Sequence, residues 1–95
     1  MTWHGKARSG IASDLTIDYA AQAYVAMWDE PDEKGFAGAT VVADGISFAE
    51  AVRRVMAMSP GQRTNVASIG TDVCFYDDLA LIEAISRRSD FPRPT

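Results

Sequence analysis

The segment GISFAEAVRRVMAMSPG at positions 45–61 constrains the fold more than any other part of the chain. Ser47 and Glu50 have the S-x-x-E spacing of a capping box, in which hydroxyl and carboxylate satisfy backbone N–H groups left free at a helix N-terminus. Phe48, Val52, Val55 and Met56 then recur at helical intervals, with Ala49 and Ala51 beside them. Residues 48–58 therefore form an amphipathic helix whose apolar face must lie on something, and a sheet is the expected support. Arg53 and Arg54 point away from that face. Glu50 stands four residues before Arg54, the favourable sense for a surface ion pair worth about 0.3–0.5 kcal/mol. Pro60 restricts its predecessor and Gly61 supplies a flexible exit, so the helix stops at Ser59.

The flanking segments supply the sheet. GATVVAD at 38–44 has the β-branched content of a strand. QAYVAMW at 22–28 is ambiguous, because its alanines favour helix and Ile17, Ala21, Tyr24 and Trp28 could share one helical face. The intervening DEPDEKG at 29–35 decides for a strand: with Pro31 and Gly35 it reads as a solvated turn, and the two segments make a hairpin with a long loop. LTIDY at 15–19 alternates apolar and polar residues like a short edge strand. After a polar link at 62–64, NVASIGT at 65–71 reads as a further core strand, completing a β-α-β crossover that would run parallel to residues 38–43 in the same sheet. DLALIEAISRR at 78–88 is a second amphipathic helix, with Leu79, Ile82 and Ile85 on one face, Leu81 nearby and Glu83 four residues before Arg87. Arg87 and Arg88 complement the dipole at its final turn, and SDFPRPT cannot continue it. The fold class is α+β: a small, mostly antiparallel sheet of three to four strands packed against two helices near 47–58 and 77–88, in the order β-β-α-β-α. Residues 14–90 form a single domain. Residues 1–13, with Gly5, Ser9, Gly10 and Ser13 and little periodicity, read as a mobile arm, and 91–95 as a tail.

Composition bounds the function. Ninety-five residues suffice for one small apolar core, and 47% hydrophobic with 23% charged residues is a globular balance. A net charge of −4 argues against nonspecific nucleic-acid binding, which depends on Lys and Arg neutralising phosphates. The acidity is uneven, since residues 1–48 hold three basic and seven acidic groups and residues 49–95 six of each. No apolar run approaches the roughly 20 residues that span a bilayer, and the N-terminal segment lacks the apolar stretch of a secretory signal, so no membrane role and a cytoplasmic location are expected. The lone cysteine cannot form an internal disulfide, in keeping with a reducing compartment.

Catalytic signals are sparse. In GTDVCFYDD at 70–78, Asp77 and Asp78 stand where a helix begins and are explained by capping, while Cys74 reads as a small buried hydrophobe in an extended lead-in. A cysteine near a helix N-terminus can become nucleophilic, but its base would have to be His4, far away in the arm. One Cys and one His do not make a usual zinc site, the acids at 29–33 lack the calcium-loop pattern, and no nucleotide-binding glycine motif occurs. No metal or cofactor is implied. Asp72, Asp77 and Asp78 leave a small enzyme using the Asp72 to Asp78 region as the last reading in order.

Recognition remains. The strand at 22–28 is apolar on both sides, Ala23, Val25 and Met27 on one and Tyr24, Ala26 and Trp28 on the other, whereas two helices cover a single face of a small sheet. Tyr24 and Trp28, beside Asp29, Glu30, Asp32 and Glu33, are therefore the candidate partner-binding residues, an aromatic anchor with a charged rim suited to a protein partner or to self-association. Coverage of that face by the edge strand or the N-terminal arm is the structural alternative. The run from Tyr24 to Val52, with its strand, acidic turn, strand and GISFAEA at 45–51, resembles part of the HicB-type antitoxins. That resemblance implies a strand-rich, partial RNase H-like fold and binding of a small toxin; it covers about a third of the chain, lacks the third strand expected before the helix, and carries over no functional residue. In size and character the chain is also similar to phage-encoded inhibitors of bacterial defence, anti-CRISPR proteins among them. The expected function is non-catalytic protein binding, as an accessory or inhibitory module, with an antitoxin-like subunit as the alternative.

Overall fold

The hairpin and helix expected at the centre of the chain are the frame on which everything else is hung. The computed structural model describes residues 5–6 and 16–92, which form strands β1 (Gly5–Lys6), β2 (Gln22–Trp28), β3 (Ala39–Ser47), β4 (Val66–Thr71) and β5 (Cys74–Tyr76) and helices α1 (Phe48–Ala57), α2 (Pro60–Arg63) and α3 (Leu79–Ser86). The strands make one sheet in the order β1-β5-β4-β2-β3. β2 is antiparallel to both β3 and β4, and β4 to β5, so β4 runs parallel to β3 with β2 between them, as the crossover reading requires. β1 adds in parallel at the far edge, Gly5 opposite Cys74 and Lys6 opposite Phe75. That pairing falls inside the segment read as an arm, whose other residues lie outside those described.

β2 earns its strand geometry from its two neighbours, which satisfy its backbone on both sides despite its alanines. β3 is longer than expected and carries two extra residues relative to β2, one around Val42 and one around Asp44–Gly45. Gly45 has φ +68, the left-handed conformation that glycine alone adopts without cost at such a bulge. The bend delivers Ser47 directly to the start of α1, where its hydroxyl accepts from the Glu50 N–H at 3.1 Å. The Glu50 carboxylate, expected to reach back to the cap, is instead held by the Nε groups of Arg53 (3.2 Å) and Arg54 (3.1 Å). These arginines keep it below the usual carboxylate range, Arg54 contributing most.

α1 ends one residue early, and the segment at 59–64 is not a plain exit. Ser59 caps the single turn α2, with a reciprocal capping box to Gln62, and Arg63 turns back to donate to the Met56 and Met58 carbonyls at 3.1 Å each. Those carbonyls belong to the frayed end of α1, which a guanidinium fork satisfies well.

The core lies between the helices and one face of the sheet. Phe48, Ala51, Val52 and Val55 of α1 and Leu81, Ile82 and Ile85 of α3 pack on Ala23, Val25 and Ile69. No strand forms among the described residues of 15–19; Ile17 and Tyr19 pack singly on the core instead, because both flanks of β2 are already occupied. Arg53 does not simply point to solvent, and residues 89–92 are not a loose tail. Phe91 is buried, edge-on to Tyr19 at 5.5 Å, with the Arg53 guanidinium 5.9 Å above its ring. The Tyr19 hydroxyl donates to Asp90 Oδ1 at 2.7 Å, Arg88 holds the same carboxylate through two 2.9 Å bonds, and Arg53 donates to the Pro92 carbonyl at 2.9 Å. Residues 90–92 thus pack on the core, with an aromatic plug and a charged clasp that the short apolar content of 89–92 did not announce.

Candidate partner-binding surface

Strand alternation sends Ala23 and Val25 of β2 into the core, and by the same rule it sends Tyr24, Ala26 and Trp28 to the opposite face. Register extends that face across the sheet. Val41 is opposite Ala26, Gly70 is opposite Tyr24, and Phe75 is opposite Gly70. Neither α1 nor α3 is on this side, since both pack against the face carrying Val25 and Ile69. Trp28 is 52% exposed, Val41 51% and Phe75 38%, values that place three large apolar side chains at the surface. Tyr24 is more sheltered. Its ring lies directly over Gly70, where a Cβ would overlap it, so glycine there makes room for an aromatic cover across the strand pair. Ala26, small and flanked by these larger groups, is 7% exposed.

The acidic loop sits at one end of this face. Asp29 closes the hairpin, its N–H donating to the Gly38 carbonyl at 2.9 Å and its carboxylate accepting from the Thr40 hydroxyl at 2.6 Å. Asp32 shapes the turn by accepting from the Lys34 and Phe36 N–H groups at 2.9 and 3.0 Å, and Gly35, with φ +84, makes the reversal. Two of the four expected loop acids thus have structural work, while Glu30 and Glu33 are exposed. Phe36, at 72% exposure, stands beside them.

At the other end of β2 a cleft of about 400 Å³ is lined by Asp18, Gln22, Tyr24, Asp44, Thr71 and Asp72. Asp18 and Asp44 each accept a hydrogen bond from a nearby backbone N–H, of Ala20 and Gly45. These three carboxylates come from segments far apart in the chain, and only the sheet order brings them to one place. Val41, Phe75, Asp18 and Asp44 were not singled out in the sequence, and Asp72 was named there only with Asp77 and Asp78; the alternation of Cys74, Phe75 and Tyr76 was the available signal for Phe75.

The region at 71–78 runs from the end of β4 through β5 to the start of α3. Cys74 is only partly buried in β5, which is short and near the sheet edge. Its Sγ lies 3.9 Å from the Phe75 carbonyl. Tyr76 is turned to the core against Phe48, with ring centroids 4.9 Å apart, and burial, then the neighbouring Cys74, push its ionisation well above the ordinary tyrosine range. Asp78 caps α3, accepting from Ala80 and Leu81 N–H groups at 2.9 and 3.4 Å. Asp72 lies at the acidic cleft and Asp77 is exposed before the cap. His4 lies outside the described residues.

Among the described residues, no group of three or more His, Cys, Asp or Glu side chains could hold a metal ion, and no helix is long and apolar enough to cross a membrane. Comparison with family models, curated proteins and solved structures finds no match.

Proposed function

We propose that this protein is a non-catalytic protein-binding module whose contact surface is the face of its sheet opposite α1 and α3. The observation that supports this reading is the row Trp28, Val41 and Phe75, three large apolar side chains left at the surface by a sheet whose other face supplies the core. An exposed apolar patch with polar surroundings is the usual form of a protein contact site, and tryptophan is a favoured anchor. Tyr24, Asp29, Glu30, Asp32 and Glu33 complete the surface as the sheltered aromatic and the rim. An inhibitor of a bacterial defence system and an antitoxin-like subunit are both proteins of this kind, and the same face would serve either.

The test is affinity capture from a lysate of the source organism with the wild-type chain and with Trp28→Ser, after circular dichroism has established that the variant is folded. A stoichiometric protein held by the wild type and released by the variant supports the reading. A partner retained equally by both, or a turnover activity that survives Trp28→Ser and disappears with Asp72→Asn, would replace it with another surface or with an enzyme.

A further inference from the structure

Charge is sorted between the two layers of the molecule. Between residues 16 and 47, which supply β2, β3 and the loops at both ends of the open face, there are six carboxylates and one basic residue, Lys34. The acids stand at the two ends of the apolar row: Asp29, Glu30, Asp32 and Glu33 beyond Trp28, and Asp18 and Asp44, joined by Asp72, beyond Tyr24. Four of the described arginines are engaged in the helical layer. Arg53 and Arg54 hold Glu50, Arg63 holds the end of α1, and Arg88 holds Asp90.

We infer that the occupant of the open face is a cationic protein surface, with an apolar centre that covers Trp28, Val41 and Phe75 and Lys or Arg side chains that reach the acids at both ends. This rests on the reading of the open face as a contact surface. Charge complementarity selects the occupant: an acidic rim raises the association rate of a basic partner and disfavours an acidic one. A second copy laid on the same face would bring two acid-rimmed surfaces together, and like charges in such positions oppose association. Nucleic acid is disfavoured for the same reason. The outer edge of β3 offers a competing way to bind, by strand addition, but its two bulges break the regular ladder to the stretch before Val42, and bulges of this kind blunt an edge against pairing. The partner therefore lies across the face.

The experiment is selection of binders to the full-length protein from a random dodecapeptide library displayed on yeast, so that the sequences themselves report what the face accepts. Enriched peptides should be net positive, with apolar residues between Lys or Arg positions. Their affinity for wild type should exceed that for the combined Glu30→Gln, Glu33→Gln and Asp44→Asn variant by at least tenfold at 50 mM salt. At 0.5 M salt the difference should largely vanish, because exposed charges are then screened over a few ångströms. Enriched peptides that lose binding with Trp28→Ser but are neutral or acidic overturn the cationic partner and leave the contact face standing. Peptides that bind Trp28→Ser as well as wild type, or no enrichment at all, overturn both.

Discussion

The two faces of β2 are both apolar and differ in what covers their large side chains. Ala23 and Val25 are 2% and 0% exposed beneath α1, whereas Trp28, on the other side of the same strand, is 52% exposed. The difference is not one of residue hydrophobicity, since the larger apolar side chain is the one in solvent. It comes from the covering elements: α1 and α3 pack together on one side, and among the described residues no helix lies on the other. Folding accounts for the buried face and leaves the bare one to be explained, which is why the functional proposal rests there. The charge pattern repeats the contrast, with Arg53, Arg54 and Arg88 paired in the helical layer and carboxylates at the ends of the bare face.

Substitutions on the two faces should separate by size of effect. Phe48→Ala removes the largest of the fully buried side chains, one in contact with Tyr19 and Tyr76, and should cost about 3–5 kcal/mol in urea unfolding, enough to unfold much of a domain this small. A cost near zero would mean that the helical layer is not the core. Gly70→Ala should come next, at about 1–3 kcal/mol, because the new Cβ displaces the Tyr24 ring. In a Tyr24→Ala background that cost should shrink sharply; an unchanged cost in the double-mutant cycle would show that ring and glycine are not coupled. Ser47→Ala should lose about 0.5–2 kcal/mol through the hydroxyl that caps α1, with helical content retained by circular dichroism.

The clasp that joins Tyr19, Arg88 and Asp90 gives the stability a pH signature. Burial, and then the hydrogen bond to Asp90, raise Tyr19 from 10.0 to about 12. Its contribution to stability is therefore complete below pH 10 and is lost as pH rises toward 12. Asp90 is shifted the other way, chiefly by Arg88 and then by Tyr19, so its contribution is present above the ordinary aspartate range and is lost as pH falls through its depressed value. Tyr19→Phe should remove the Tyr19 part of the alkaline loss, and Asp90→Asn should flatten the acid limb; denaturant midpoints measured across pH check both, and curves identical to wild type would contradict the clasp. Trp28→Ser should have the smallest effect of all on stability, within about 1 kcal/mol. A loss comparable to that of Phe48→Ala would turn the open face into core.

Much of this contrast was legible in the sequence, and the reasons for the rest are specific. The period of Phe48, Val52 and Val55, and the pairing of QAYVAMW with GATVVAD across an acidic turn, are local patterns, and they gave α1 and the hairpin. The apolar character of both sides of 22–28 raised the question of a bare face. What sequence could not supply was register: only the alignment of Val41 with Ala26 and of Phe75 with Gly70 gathers residues from three strands into one patch. The same holds for Asp18, Asp44 and Asp72, which meet through sheet order. Phe91 was hidden because a single aromatic in a Pro-containing tail has no period to reveal that it plugs the core. Cys74 looked buried by residue type, and on a three-residue strand near the edge it is only partly buried.

Hydrogen–deuterium exchange of the protein alone and with its captured partner tests the central claim most directly, because it reads both faces at once. Protection on binding should concentrate in residues 24–28, 39–43 and 70–76, with α1 and α3 unchanged. Protection confined to the helical layer around Arg53, Arg54 and Arg87, with the open face exchanging as in the free protein, would contradict the account.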